Sequence, residues 1–79
     1  MKKFIISTLI LIGFGCNKNL DPAQVPDPVI NAFYSDFPTD VKVKWEETKD
    51  KLYEANFEYR GQLREILYDS SGVIVKVNS

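Results

Sequence analysis

Apolar and polar residues alternate along two neighbouring runs in the middle of the chain, within residues 41–60. Val41, Val43 and Trp45 fall on one face of the first run. The matching face of the second run carries Tyr53, Ala55, Phe57 and Tyr59. Period-two alternation over adjacent runs predicts an antiparallel hairpin with one buried face. The charged segment at residues 49–51 is its predicted turn.

Two further turn signals extend the predicted sheet. Gly61 and Gln62 form the second turn, in which glycine supplies the positive φ of a tight turn, and Arg60 then pairs with Leu63. This pairing places Ile66 and Tyr68 on the face of Tyr59. The third turn is predicted at residues 69–72, and it leads to a last strand in which Val73, Val75 and Val77 are in phase.

Residues 25–38 predict one short helix before the sheet. Asp27 and Pro28 suit the N-cap and first helical position, and Pro26 is the alternative first residue. Pro38 disfavours helical geometry at Phe37 and ends the helix. Its apolar stripe consists of Val29, Ile30, Phe33 and Phe37. The predicted fold class is α+β: one N-terminal helix packed on a four-stranded antiparallel meander sheet (α-β-β-β-β), formed by residues 25–79 after a signal peptide.

The N-terminal segment is typical of an exported protein. A basic start and the apolar run of residues 4–14 predict a signal peptide over residues 1–15, followed by a tether over residues 16–24. The run is too short to span a bilayer as a stable helix. Cys16 follows directly, so the segment resembles a bacterial lipoprotein signal with a lipidated cysteine. The alternative is an ordinary cut after Gly15, which leaves Cys16 as a free thiol.

Composition argues against an enzyme, a cofactor protein or a nucleic-acid-binding protein. The chain has no histidine and only one cysteine. Removing residues 1–15 leaves eight basic and eleven acidic residues, a net charge of −3, and no basic patch. We expect no metal site. We also expect Glu46, Glu54 and Glu58 to be solvated and paired with lysine across the strands, without a shift towards a catalytic pKa.

The polar face of the predicted sheet is the candidate binding surface. Under the predicted alternation three apolar residues also point to this side, where they are either part of a docking surface or ordinary exposed side chains. The predicted binding residues are Lys42, Lys44, Glu46, Leu52, Glu54, Glu58, Leu67 and Ile74.

Residues 25–77 resemble one unit of the β-lactamase-inhibitor-like, PepSY-like family. The matching positions on the helix are Val25-Pro26, Val29, Ala32-Phe33 and Phe37-Pro38. Those on the sheet are Val43 to Trp45, Tyr53 to Phe57, Gly61, Glu65-Ile66, Tyr68-Asp69 and Gly72. The resemblance implies an exported protein, often a lipoprotein of Bacteroides-type bacteria, with a helix on an antiparallel sheet. It also implies an inhibitor or protein-binding role on the open face of the sheet.

These features predict a membrane-tethered, non-catalytic lipoprotein that binds a protein or peptide. Lipidated Cys16 would hold it on a bacterial membrane, the outer membrane in our interpretation, on the periplasmic side or at the cell surface. The alternative is a structural lipoprotein that associates with itself as a homodimer and thereby completes its small sheet. Oligomeric state distinguishes the two hypotheses.

Overall fold

The computed structural model describes residues 17–78. The predicted signal peptide (residues 1–15) and the lipid site Cys16 lie outside the described residues. The elements are β1 (Lys18–Leu20), a 3-10 helix (Pro22–Gln24), α1 (Asp27–Asp36), β2 (Val43–Glu47), β3 (Tyr53–Tyr59), β4 (Gln62–Tyr68) and β5 (Ile74–Asn78). Neither helix in this part of the chain is long and apolar enough to cross a bilayer.

The strands form one antiparallel sheet in the order β1-β2-β3-β4-β5. The α+β class and the single helix on an antiparallel sheet are confirmed, but the prediction of four strands is wrong. The fifth strand, β1, comes from residues assigned to the tether, and its Leu20 pairs with Trp45 of β2. The folded domain therefore begins before Val25. A strand of three residues is too short to show a period-two pattern, which is why the sequence does not indicate it.

Helix α1 begins one residue earlier than the Asp27–Pro28 pair predicts. Pro26 is the N-cap, and its carbonyl accepts hydrogen bonds from the backbone N–H groups of Val29 and Ile30 at 3.0 and 3.2 Å. Asp27 therefore lies in the first turn, where a carboxylate is stabilised by the helix dipole. The helix ends as predicted: Phe37 is extended, at ψ 150°, directly before Pro38.

The core lies between α1 and one face of β2, β3 and β4. Its fully or nearly fully buried side chains are Val25, Val29, Phe33, Trp45, Ala55, Phe57, Ile66 and Tyr68. Phe33 lies at the centre, with ring centroids 4.9 Å from Phe57 and 5.6 Å from Trp45, both edge-on. Phe37 stacks on Phe33 at 4.9 Å and is half-buried. The aromatic residues of the predicted helix stripe and of the predicted buried sheet face thus pack together in one layer.

The first predicted turn is confirmed and the second is displaced. The side-chain oxygen of Thr48 closes the first turn, since it accepts a hydrogen bond from the Leu52 N–H at 3.2 Å. In the second turn the loop residues are Arg60 and Gly61, with φ of 55° and 78°, so Tyr59 pairs with Gln62. The predicted pairing of Arg60 with Leu63 is therefore wrong by two positions. Because the displacement is even, every side chain keeps its predicted face.

The third turn connects the sheet to the start of α1. The Asp69 side chain accepts hydrogen bonds from the N–H groups of Ser71 and Val73 at 2.9 and 3.1 Å. Gly72 has φ of 89°, and a Cβ atom there would lie 2.5 Å from the carbonyl oxygen of Pro28. Glycine is therefore required both for the backbone conformation and for the close approach of the helix.

Strand β5 is the exposed edge of the sheet. Its pairing with β4 contains an irregularity, since Leu67 pairs with Lys76 while Tyr68 pairs with Ile74, which leaves Val75 without a partner residue on β4. The in-phase valines predicted here are not covered by α1. Val73, Val75 and Val77 are 59%, 53% and 56% exposed.

Alanine substitutions at the two glycine turns should have unequal effects. Both Gly61 and Gly72 have positive φ, but a Cβ atom at Gly61 would meet nothing within 4 Å. We expect Gly61→Ala to lower the free energy of unfolding by about 1 kcal/mol, the cost of a left-handed conformation. Gly72→Ala should lower it by about 3 kcal/mol, because the Pro28 backbone must also move. Urea denaturation followed by circular dichroism measures both. Equal losses would show that the Pro28 contact is not rigid.

Candidate binding face

The face of the sheet opposite α1, called the open face here, is not covered by any described element. Strand pairing arranges its side chains in rows. The longest row crosses all five strands and consists of Asn19, Glu46, Glu54, Leu67 and Lys76. The next row crosses four strands and consists of Lys44, Asn56, Glu65 and Asn78. The alternation read from the sequence therefore predicts the membership of this face correctly for its central strands.

Four of the predicted binding residues lie together at the centre of the open face. Glu46 pairs with Glu54, and Glu54 pairs with Leu67, so these three are direct neighbours across three strands. Lys44 lies beside them, with its Nζ 3.7 Å from Glu46 Oε2. Leu67 is half-buried, although α1 lies on the other side of the sheet.

The other four predicted residues lie at the margins. Glu58 is exposed and pairs with Leu63 next to the Arg60–Gly61 turn. Lys42 directly precedes β2, and Leu52 directly precedes β3. Ile74 is 44% exposed and pairs with Tyr68, a residue of the core, at the irregularity between β4 and β5. These four are not brought together with the central group.

The centre of the open face contains three carboxyl groups, those of Glu46, Glu54 and Glu65, called the carboxylate cluster here. The Glu54 carboxyl lies within hydrogen-bonding reach of both Glu65 and Glu46. Glu65 is on β4 and pairs with Asn56, so it reaches Glu54 diagonally. Glu65 is absent from the predicted binding residues. The alternation of polar and apolar residues predicts that Glu65 lies on the polar face. Its distance from Glu54 could not be predicted, because it depends on the strand register.

Three asparagine side chains donate hydrogen bonds to the cluster. Asn17 Nδ2 lies 3.1 Å from Glu46 Oε1 and 3.4 Å from Glu54 Oε1. Asn56 Nδ2 lies 3.4 Å from Glu54 Oε1, and Asn78 Nδ2 lies 3.0 Å from Glu65 Oε1. Asn17 precedes β1 and Asn78 ends β5, so the two edges of the sheet both contribute donors to the cluster.

The expectation that the strand carboxylates are lysine-paired and unshifted is wrong for Glu54. Partial burial, then the hydrogen bond with Glu65 and the charge of Glu65, raise the pKa of Glu54 to about 8, while the Asn56 amide opposes them. The pKa of Glu65 is lowered, first by its hydrogen bond with Glu54 and then by Asn78 and by the charge of Lys76. Like charges at this spacing cannot both ionise freely, so the two carboxyls share a proton near neutral pH.

This arrangement can hold a proton and accept hydrogen bonds or a positive charge from a partner. A carboxyl poised near neutral pH is a feature of many catalytic acids and bases, but structural networks perturb pKa values as well. No cluster of three or more side chains suited to a metal ion occurs in residues 17–78. The face as a whole is a mixed-charge surface with Leu67 at its centre.

The chain matches no protein-family model, no curated protein and no solved structure.

The shared proton predicts a pH-dependent stability. Glu54 keeps its proton in the folded state up to a pH of about 8, whereas in the unfolded chain it loses the proton near 4.5. Between these values the folded state binds more protons, so the free energy of unfolding should fall as the pH rises from 5 to 8. Glu54→Gln should flatten this decline, because glutamine keeps the hydrogen-bonding amide without a titrating proton. Urea denaturation at pH 5, 6, 7 and 8 measures the slope.

Glu58→Gln is the matched control, since Glu58 lies on the same strand and face but outside the carboxylate cluster. This variant should keep the slope of the unsubstituted protein. A slope that is the same in all three proteins would refute the shared proton. The lowered pKa of Glu65 acts in the opposite direction and only below pH 4.5, outside the range measured.

Proposed function

We propose that the protein is an exported, membrane-anchored and non-catalytic binding module that holds a protein or peptide partner on the open face. The observation that carries this proposal is the uncovered face itself. A single helix covers one side of the sheet, and the other side presents Leu67 among acidic, amide and lysine side chains. An apolar centre surrounded by polar groups is the composition of many protein-binding surfaces.

Electrostatics support a partner with basic or hydrogen-bond-donating groups opposite the carboxylate cluster. Glu46, Glu54 and Glu65 are closely spaced, and Lys44 forms the only ion pair among the described residues that involves one of them. A partner ammonium or guanidinium group would compete with the shared proton and stabilise the ionised cluster. Binding of such a partner would therefore release a proton near neutral pH.

The anchoring part of the proposal rests on the sequence. The apolar run of residues 4–14 is followed at once by Gly15 and Cys16, the order in which bacterial lipoprotein signals place the modified cysteine. The resemblance to the β-lactamase-inhibitor-like, PepSY-like family supports the same localisation, on the periplasmic side or at the cell surface, with the outer membrane as the anchor site. Acyl chains on Cys16 would retain the protein there, at about 0.8 kcal/mol for each buried methylene.

Cys16→Ser should abolish lipid attachment. In a bacterial host that processes lipoproteins, the unsubstituted protein should incorporate labelled fatty acid and sediment with membranes. The variant should incorporate none and appear in the soluble exported fraction. Mass spectrometry of the unsubstituted protein provides the control for processing: an N-terminal Cys16 without acyl chains would contradict the lipoprotein hypothesis and support the ordinary cut after Gly15.

Substitutions at the centre of the open face should abolish partner binding. Leu67→Asp removes the apolar centre and adds charge next to Glu54, and Lys44→Glu reverses the neighbouring charge. We expect either change to reduce recovery of the bound partner from the membranes of the source bacterium at least tenfold. Quantitative mass spectrometry of proteins retained by the immobilised full chain gives the ratio.

Asn31→Glu is the control, because Asn31 is exposed on α1, on the other side of the molecule. This variant should retain the partner at the level of the unsubstituted protein. Circular dichroism must show the same fold in all variants. A partner retained equally by Leu67→Asp and Lys44→Glu would place the binding site elsewhere.

A further inference from the structure

The chain enters the folded domain at Asn17, and this residue is held in place. Its side chain is half-buried and donates hydrogen bonds to Glu46 and Glu54 on the open face, at 3.1 and 3.4 Å. The three residues that follow form β1, which pairs with β2. Asn17 is therefore fixed to the sheet both by its own side chain and by the strand that begins at the next residue.

This arrangement leaves no flexible spacer before the domain. The sequence predicts a tether over residues 16–24, but residues 18–20 are β1 and residues 22–24 are the 3-10 helix. Cys16, the proposed lipid site, precedes Asn17 directly, and consecutive Cα atoms are about 3.8 Å apart. Acyl chains on Cys16 would therefore be attached one residue away from the folded sheet.

The strand register identifies the end of the sheet that lies beside Asn17. Lys18 pairs with Glu47, the last residue of β2, and Glu47 pairs with Tyr53, the first residue of β3. The turn of residues 48–52 therefore lies at the same end of the sheet as the start of β1. We call this region, formed by Asn17, Lys18 and residues 48–52, the anchor end.

The anchor end carries three exposed lysines, Lys18, Lys49 and Lys51. Lys51 Nζ lies 3.6 Å from Glu47 Oε2, whereas neither Lys18 nor Lys49 forms an ion pair with another residue of the described part of the chain. Lysines at a membrane surface are attracted by the phosphate groups of anionic lipids. The charges at this end therefore suit a phospholipid surface.

We infer that the domain stands directly on the bilayer, with the anchor end against the phospholipid headgroups. The inference rests on the proposed lipid attachment at Cys16, and it adds the surface of the domain that the membrane contacts. The strands then rise from the membrane, and the open face is exposed beside it.

This orientation limits which partners can reach the open face. Glu46 lies two residues from Thr48 of the anchor end, about 7 Å along the strand, and it accepts a hydrogen bond from Asn17. The carboxylate cluster would therefore lie close to the lipid headgroups. A partner that occupies it must itself come near the membrane surface.

Nitroxide labels at the two ends of the sheet test the inference. Asp50→Cys places a label in the turn of the anchor end, and Gln62→Cys places one at the start of β4, opposite Tyr59 at the far end of β3. The seven residues of β3 separate these ends by about 23 Å. The acylated protein is reconstituted in vesicles of phosphatidylcholine, phosphatidylglycerol and a nickel-chelating lipid. Power-saturation electron paramagnetic resonance should show nickel collisions at least fivefold more frequent at position 50 than at position 62.

A twelve-residue Gly-Ser insert between Cys16 and Asn17 provides the matched control. It supplies a flexible spacer with a root-mean-square length of about 20 Å and should reduce the collision frequency at position 50 at least twofold. Acylated proteins in which positions 50 and 62 collide equally often, or in which the insert changes nothing, would overturn the inference alone. Protein that carries no acyl chains by mass spectrometry and does not sediment with the vesicles would overturn the lipid anchor as well.

Discussion

The fold depends on the insertion of Phe33 into the aromatic layer of the sheet. This one side chain of α1 contacts Phe37, Trp45 and Phe57, with ring centroids 4.9 to 5.6 Å apart. A domain of this size buries a smaller fraction of its surface than a larger domain does, so a single well-packed aromatic centre contributes a large share of its stability. Val29 extends the same contact, and Pro28 meets Gly72, so the helix is fixed against the sheet along its length. The parts of the sheet that α1 does not cover are the open face and the outer strands.

The parts of the fold that follow from local periodicity could be predicted from the sequence. The stripe from Val29 to Phe37 and the alternation in β2, β3 and β4 determine which side chains face the core, and no knowledge of the register is needed for that. Strand β1 could not be predicted, since Lys18 to Leu20 become a strand only because β2 offers an edge to pair with. The extent to which α1 covers the sheet could not be predicted either, because it depends on the width of the sheet.

The carboxylate cluster depends on the pairing register of β3 and β4. Pairing Arg60 with Leu63 places Glu65 opposite Glu58, whereas the actual turn at Arg60 and Gly61 places it opposite Asn56 and diagonal to Glu54. Arg60 adopts a φ of 55°, which is uncommon for a residue other than glycine, asparagine or aspartate, so the sequence favours a turn that begins at Gly61. A displacement of two residues preserves the faces but changes every neighbour. The raised pKa of Glu54 depends on its burial and on its contact with Glu65, and neither could be predicted from composition.

The open face and strand β5 are both uncovered for one reason: a single helix packs against a sheet of five strands. Neighbouring strands lie about 4.8 Å apart, so the outermost strands are separated by about 19 Å. A helix with its side chains is about 10 Å wide. Helix α1 therefore covers β2, β3 and β4 on one side and reaches neither β5 nor the opposite face. The exposed side chains of β5 and the uncovered open face thus have the same geometric origin.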